Sequence, residues 1–248
     1  MTDHCNLRCA ECCSLSPYLD RRLVTPEAMA EDLRRACRVL APTYLKLVGG
    51  EPLLHPKLLE CLRLAKALDV APILSVTTNG LLIRSMPDEF WTLLNALTLS
   101  LYPSPVLPSD LMDFIFRQTR RFNVTLNIKR QSLFVCMTRW DRSENTAETT
   151  AIFAGCWLRS RCHIVQEGRF YQCTRPPHFH TLFHERKPFD RDGVVLHDGL
   201  SLKQEILDDL VRTEPLEACR YCHGGNAETA PHRLMAFAET EYIRERYQ

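Results

Sequence analysis

The sequence predicts an α/β fold built on a parallel sheet, followed by a smaller second domain. Three observations predict it. Strand and helix signals alternate from about residue 25 to residue 130, the pattern of repeated strand–helix units whose strands run parallel. A polar stretch, Thr138 to Thr150, then breaks the alternation. Beyond it the chain is rich in Cys, His, Arg and Pro, with only short strand-like pieces at His163 to Val165 and Arg169 to Gln172. The expected domains are residues 1–150 and 151–248.

Taken in order, Thr25-Pro26 reads as an N-cap with proline at the first helical position, opening a helix to about Leu40. Tyr44 to Val48 is a short apolar strand that runs into Gly49-Gly50-Glu51-Pro52. Lys57 to Leu68 places Leu58, Leu59, Leu62 and Ala65 on one helical face. Ile73 to Thr78 is the next strand, ending at Asn79-Gly80, and Phe90 to Asn95 is a short helix. Leu97 to Leu101 is a strand, Leu111 to Arg120 a helix, and Val124 to Ile128 a further strand. In open sheets of this kind the strands' C-terminal ends carry the site.

A chain of 248 residues with 45% hydrophobic and 25% charged residues is ordinary for a folded protein, and a net charge of +1 gives no field for nucleic acid or an anionic membrane. No apolar run approaches the roughly 20 residues of a membrane span, and no signal peptide is evident, so the expected location is cytoplasmic.

Twelve cysteines are the outlying feature. In a reducing compartment, thiols at short spacings are metal ligands first. Cys37, Cys61 and Cys136 fall within helical or apolar strand-like patterns and are expected to be small buried hydrophobes. Cys5, Cys9 and Cys12 instead form a C-x3-C-x2-C triplet, with Cys13 beside it as a bystander. That spacing lets one loop give three thiolates to an iron–sulfur cubane and leaves its fourth iron open. A structural zinc site would want four closed ligands, usually in C-x2-C pairs.

With the triplet and Gly49-Gly50-Glu51-Pro52 in this order, the chain resembles the radical S-adenosylmethionine (SAM) superfamily, whose GGEP motif binds the amino group of SAM. Two glycines let backbone carbonyls approach a ligand, and the glutamate offers negative charge to an ammonium. The resemblance implies a partial (β/α)6 radical SAM barrel. It further points to Thr77-Thr78-Asn79-Gly80 and Ser100 at strand ends facing SAM, with Lys129 and Arg130 able to pair with its carboxylate or simply to be solvated. Glu11 stands where the family usually has an aromatic or apolar residue. Four residues precede Cys5 where the family normally runs a strand, so that strand is missing or the barrel is unusually open. No residue is assigned as an acid or base, and Tyr102 and Glu11 are candidates by position alone.

In the second domain, Cys156, Cys173 and the pair Cys219-x2-Cys222 are laid out as one thiol, a hairpin-like stretch to a second, and a distant two-ligand turn followed by Gly224-Gly225. This resembles the α+β twitch domain, a shortened relative of the SPASM domain, and implies one auxiliary four-iron cluster. Cys162 competes with Cys156 as a ligand, and a four-cysteine zinc site has the same spacing. His178, His180 and His184 are expected in a Pro-flanked polar loop at the substrate entrance, and Trp91, Trp140 and Trp157 in core or rim packing.

The implied activity is that of a radical SAM oxidoreductase. It would cleave SAM reductively to a 5′-deoxyadenosyl radical and abstract hydrogen from a small polar molecule, such as a sugar, aminocyclitol or nucleoside, in a dehydrogenation or epimerisation. The electron would come from a flavodoxin or ferredoxin. The alternatives are maturation of a ribosomal peptide and a non-enzymatic iron–sulfur or zinc module.

Overall fold

The structure, a computed structural model, describes residues 1–183 and 189–247 and divides into two compact units. The first comprises residues 1–7, 21–132 and 232–234, and the second residues 8–20, 133–231 and 235–248.

In the first unit, the Thr25 hydroxyl accepts the Ala28 N–H and opens helix α1 (Pro26–Cys37) with proline in its first turn. Met29, Leu33 and Ala36 recur at helical spacing on its buried side. Strand β1 (Tyr44–Leu47) follows, and α2 (Leu58–Ala67) buries Leu58, Cys61, Leu62 and Ala65. The pattern repeats with β2 (Ile73–Thr78), α3 (Asp88–Leu93), β3 (Ala96–Leu101), α4 (Ser109–Arg121) and β4 (Thr125–Arg130). The four strands form one parallel sheet in the order β1-β2-β3-β4, with Thr78 beside Leu99 and Ser100 beside Lys129. Ala96 to Ser100 are all buried, as expected of a central strand covered on both faces. Leu62, Val76, Ile83, Phe90, Trp91, Leu97 and Ile115 make the core.

Residues 2–4 are bonded along both sides. Gly50 N–H donates to Thr2 O at 2.6 Å and Glu51 N–H to His4 O at 3.0 Å, while Asp3 N–H donates to Arg22 O and Val24 N–H to Met1 O. The run into Cys5 is therefore anchored to the segment that follows β1.

Among its described residues the second unit holds two small antiparallel sheets and four α-helices. Strand β5 (Leu133–Val135) pairs with β9 (Thr229–Pro231). Strands β6 (Ile164–Gln166) and β7 (Arg169–Tyr171) form a hairpin turned at Glu167 and Gly168, both with positive φ, and β8 (Val194–Val195) joins β7. The helices are α5 (Thr146–Gly155), α6 (Pro176–Leu182), α7 (Leu202–Val211) and α8 (Phe237–Tyr247). Leu15, Tyr18, Met137, Phe153, Phe179, Leu182 and Phe189 pack its core.

Several expectations are corrected here. The stretch expected to be a Pro-flanked loop is helix α6, because prolines at the first turn cost a helix nothing that its orphan N–H groups had not already lost. His178 is buried on it and His180 only partly exposed; His184 lies outside the described residues. Of the three cysteines expected to be buried hydrophobes, Cys61 is fully buried, while Cys37 and Cys136 are half-buried. Trp91 is core. Trp140 packs edge-on against Tyr18, and the partly exposed Trp157 donates its indole N–H to Gly225 O. No helix among the described residues is long and apolar enough to cross a membrane.

Candidate functional site

In the first unit the site is built from the ends of the parallel strands. After β1 the chain must pass closely beside residues 2–4. A Cβ on Gly49 would collide with the Thr2 carbonyl, and one on Gly50 with the His4 carbonyl. Both obstacles are backbone, so neither can swing away. Gly50→Ala should destabilise the fold by about 1–3 kcal/mol, seen as a lower thermal midpoint; an unchanged midpoint would mean that residues 2–4 give way.

Glu51 is 1% exposed. Its carboxylate accepts the Leu53 N–H at 3.0 Å, the Thr78 hydroxyl at 2.7 Å and the Asn79 N–H at 2.9 Å. Burial pushes its carboxyl above the usual range, and these three bonds oppose the rise. The negative charge that the sequence offers to an ammonium is thus largely committed to tying the post-β1 turn to the end of β2. In Glu51→Gln an amide NH2 must face one of those donors. The expected loss is about 1–3 kcal/mol of stability, read by thermal or denaturant unfolding, and equal stability of the variant would show that the cage is dispensable.

Asn79 carries the turn toward the triplet. Its side-chain amide donates to Asn6 Oδ1 at 2.7 Å and lies 3.9 Å from Cys5 Sγ, which also accepts the Leu7 N–H. Leu7, Asn79, Leu81, Ser100, Tyr102, Pro105 and Leu107 are among the residues around a shallow pocket open to solvent. Of the residues singled out in the sequence, Asn79 and Ser100 line this pocket. Gly49, Gly50 and Glu51 brace its neighbourhood from behind, and Pro52, buried, starts the 3-10 turn after them. Thr77 and Lys129 do not line it, and Lys129 is exposed on β4. Tyr102 stacks on the His232 ring at 5.0 Å, a pairing across 130 positions that no local signal announces.

Cys9 and Cys12 belong to the second unit. Cys9 is buried, and burial raises the Cys12 thiol to about 11, against hydrogen bonds from Ser16 and Ser14. Glu11 sits between them with φ 56°, and its charge bears on Cys136.

The same unit gathers Cys156, Cys173, Cys219 and Cys222. Burial raises the Cys173 thiol to about 12, with Cys222 and Cys156 adding to the rise. The Cys219 and Cys222 thiols are raised too, again first by burial. Two consecutive amides serve two of the sulfurs: Gly224 N–H lies 3.2 Å from Cys222 Sγ and Gly225 N–H 3.3 Å from Cys156 Sγ. Gly224 has φ 82°, which favours glycine and lets successive N–H groups converge on negative charge. Cys219 rides on the 3-10 turn Glu217–Tyr221, whose first N–H groups are capped by the buried Asp192 carboxylate at 2.7 and 2.8 Å. The four thiols are neighbours rather than a closed shell. Among the described residues no three His, Cys, Asp or Glu side chains are drawn to metal-holding geometry. No disulfide joins any of the twelve cysteines.

Residues 1–104 match the radical SAM superfamily. That match covers under half of this chain's 248 residues. The chain is 30% identical over 154 residues to the GTP 3′,8-cyclase of Streptomyces coelicolor, covering 61% of this chain and 38% of that protein. It is 39% identical over 84 residues to the GTP 3′,8-cyclase of Mycolicibacterium smegmatis, covering 33% and 23%. It thus spans well under half the length of these curated relatives. The crystal structure of Streptococcus suis SuiB bound to SAM aligns at 21% identity and a TM-score of 0.39, covering 51% of this chain and 32% of that one. The superfamily that residues 1–104 resemble uses a four-iron cluster and SAM. The residues of the first unit fit that demand: Cys5 is held at the mouth of the β2 turn by an amide and an N–H, and glycine backbone, Asn79 and Ser100 lie at the strand ends.

Proposed function

We propose that this chain is a radical SAM oxidoreductase with two four-iron clusters, acting on a small polar substrate of the sugar, aminocyclitol or nucleoside class by dehydrogenation or epimerisation. Cys5, Cys9 and Cys12 hold the SAM-binding cluster, and Cys156, Cys173, Cys219 and Cys222 hold the second. When bound, cluster and SAM supply a one-electron reductive cleavage, fed by a flavodoxin or ferredoxin, whose 5′-deoxyadenosyl radical takes hydrogen from the substrate. The chain's residues position that chemistry. Asn79 and Glu51 fix the turn beside Cys5, and Ser100 and Tyr102 border the pocket at the end of β3. Lys129 pairs with the SAM carboxylate only if its exposed side chain folds back over the strand end.

The observation that carries the second cluster is the pair of glycine N–H groups aimed at sulfurs from two distant segments, Cys156 and Cys222. It also supports Cys156 over Cys162 as the ligand. The small polar substrate is supported by the relatives' name, since GTP is a nucleotide.

The test is metal analysis and turnover of the anaerobically prepared chain. About eight irons, with 5′-deoxyadenosine formed from SAM under dithionite, is the expected result. Four irons and one zinc would make the second site structural, and a colourless zinc protein would remove the reading altogether.

A further inference from the structure

Arg175 is the least expected residue in the second unit. It stands two positions after Cys173, at the start of α6, and is 1% exposed, so its guanidinium is withdrawn from water. Arginine stays charged in proteins, and a buried charge is tolerated only where something opposes it. No carboxylate among the described residues pairs with it. Instead Nη1 donates to Cys13 O at 3.0 Å and Nη2 to Thr138 Oγ1 at 2.6 Å, both neutral acceptors. The group lies over the Phe179 ring at 4.7 Å, and Nε has no hydrogen-bond partner.

The neighbours that would carry negative charge as cluster ligands are sulfurs. Thr138, which takes Nη2, is bridged to Cys222. The backbone N–H of Arg175 bonds the Cys173 sulfur, and the guanidinium is near enough to Cys173 and Cys222 for its charge to act on both.

We propose that Arg175 is a positioning residue for the second cluster, the buried counter-charge of its thiolate ligands, and that it holds the cluster's reduction potential up. The inference rests on the reading that Cys156, Cys173, Cys219 and Cys222 bind a four-iron cluster. Potentials of such clusters are set by net charge, hydrogen bonds to sulfur and exposure to solvent. Each reduction adds one electron and one negative charge to a cluster already bearing four thiolates. A fixed positive charge in a dry setting stabilises the reduced form more than the oxidised one. Its contact with Cys13 O also makes Arg175 a strut for the loop after the triplet, so loss of activity alone would not separate the two roles.

The potential separates them. In the full chain carrying Cys5→Ala, Cys9→Ala and Cys12→Ala, only the second cluster remains to be titrated with dithionite under EPR. Adding Arg175→Met should lower the equilibrium constant for one-electron reduction at least tenfold, a midpoint more negative by about 59 mV, while Arg175→Lys stays near the parent. An unchanged midpoint in Arg175→Met, with about four irons retained, would overturn the proposal, as would equal shifts in both variants. If Arg175→Met cannot hold its cluster, iron content decides. Retention by Arg175→Lys supports the charge, and loss in both variants assigns Arg175 to shape alone. A parent chain that binds zinc in place of iron would instead sink the cluster reading itself, before any Arg175 variant is compared.

Discussion

Cys5→Ala, Cys9→Ala and Cys12→Ala should each abolish SAM cleavage. Three thiolates leave one iron of a cubane open for SAM, so losing any one of them leaves the ligand set incomplete. Cys13 is exposed beside Cys12, but successive side chains on a loop diverge. Around Cys5, the Leu7 N–H at 3.4 Å, Asn6 Oδ1 at 3.7 Å and the Asn79 amide at 3.9 Å meet the sulfur, and none of them replaces a thiolate on iron. The measurement is 5′-deoxyadenosine formed under dithionite, beside the iron content of each variant. Full production by any one of them, with iron unchanged, would remove that cysteine from the site.

Joint substitution of Cys219 and Cys222 should leave about four irons and SAM cleavage in place while product formation stops. The two thiols share a single short turn, and they face Cys173 and one another. Removing both deletes half of the second ligand set without touching residues 5–12. Cleavage of SAM that continues without product would assign the second cluster to the substrate's chemistry. Normal product formation by this variant would make the second site structural.

The parallel sheet was legible because its strands are short apolar runs closed by turn residues. Ile73 to Thr78 is found where it was expected, and β1, β3 and β4 differ by one or two residues at their ends. Helix α3 sits two residues earlier than its apolar run suggests, because Asp88 and Glu89 favour the first turn behind Pro87. In the second unit the signals fail for physical reasons. Helix α5 falls partly inside the polar stretch and carries no apolar stripe, so only its Asn145 cap marks it. Pro176-Pro177 reads as loop but begins a helix. At the site, the motif residues were legible as motifs, whereas their partners were not. Thr78 and Asn79 bind Glu51 from 27 and 28 positions away, and spacing carries no trace of that. Arg175 gave no signal beyond standing two residues after a cysteine, since a guanidinium's burial is decided entirely by what folds over it.

The threading of the chain has a consequence for how the protein is made. Residues 8–20, which bear Cys9 and Cys12, are secured by residues 235 to 244, which are made long after them. Met235 N–H donates to Arg8 O, Arg8 Nε to Met235 O, and the Tyr18 hydroxyl meets Met235 Sδ, while Arg244 pairs with Asp20. Arg8 and Met235 are 227 positions apart. At typical synthesis rates the cysteine loop therefore waits roughly 10–45 s after its own emergence for the segment that fastens it. Strands β1 to β4 emerge during that interval, before residue 235 is available to fasten the loop. Vectorial synthesis thus places the fastening of the loop that bears Cys9 and Cys12 after the whole parallel sheet has emerged.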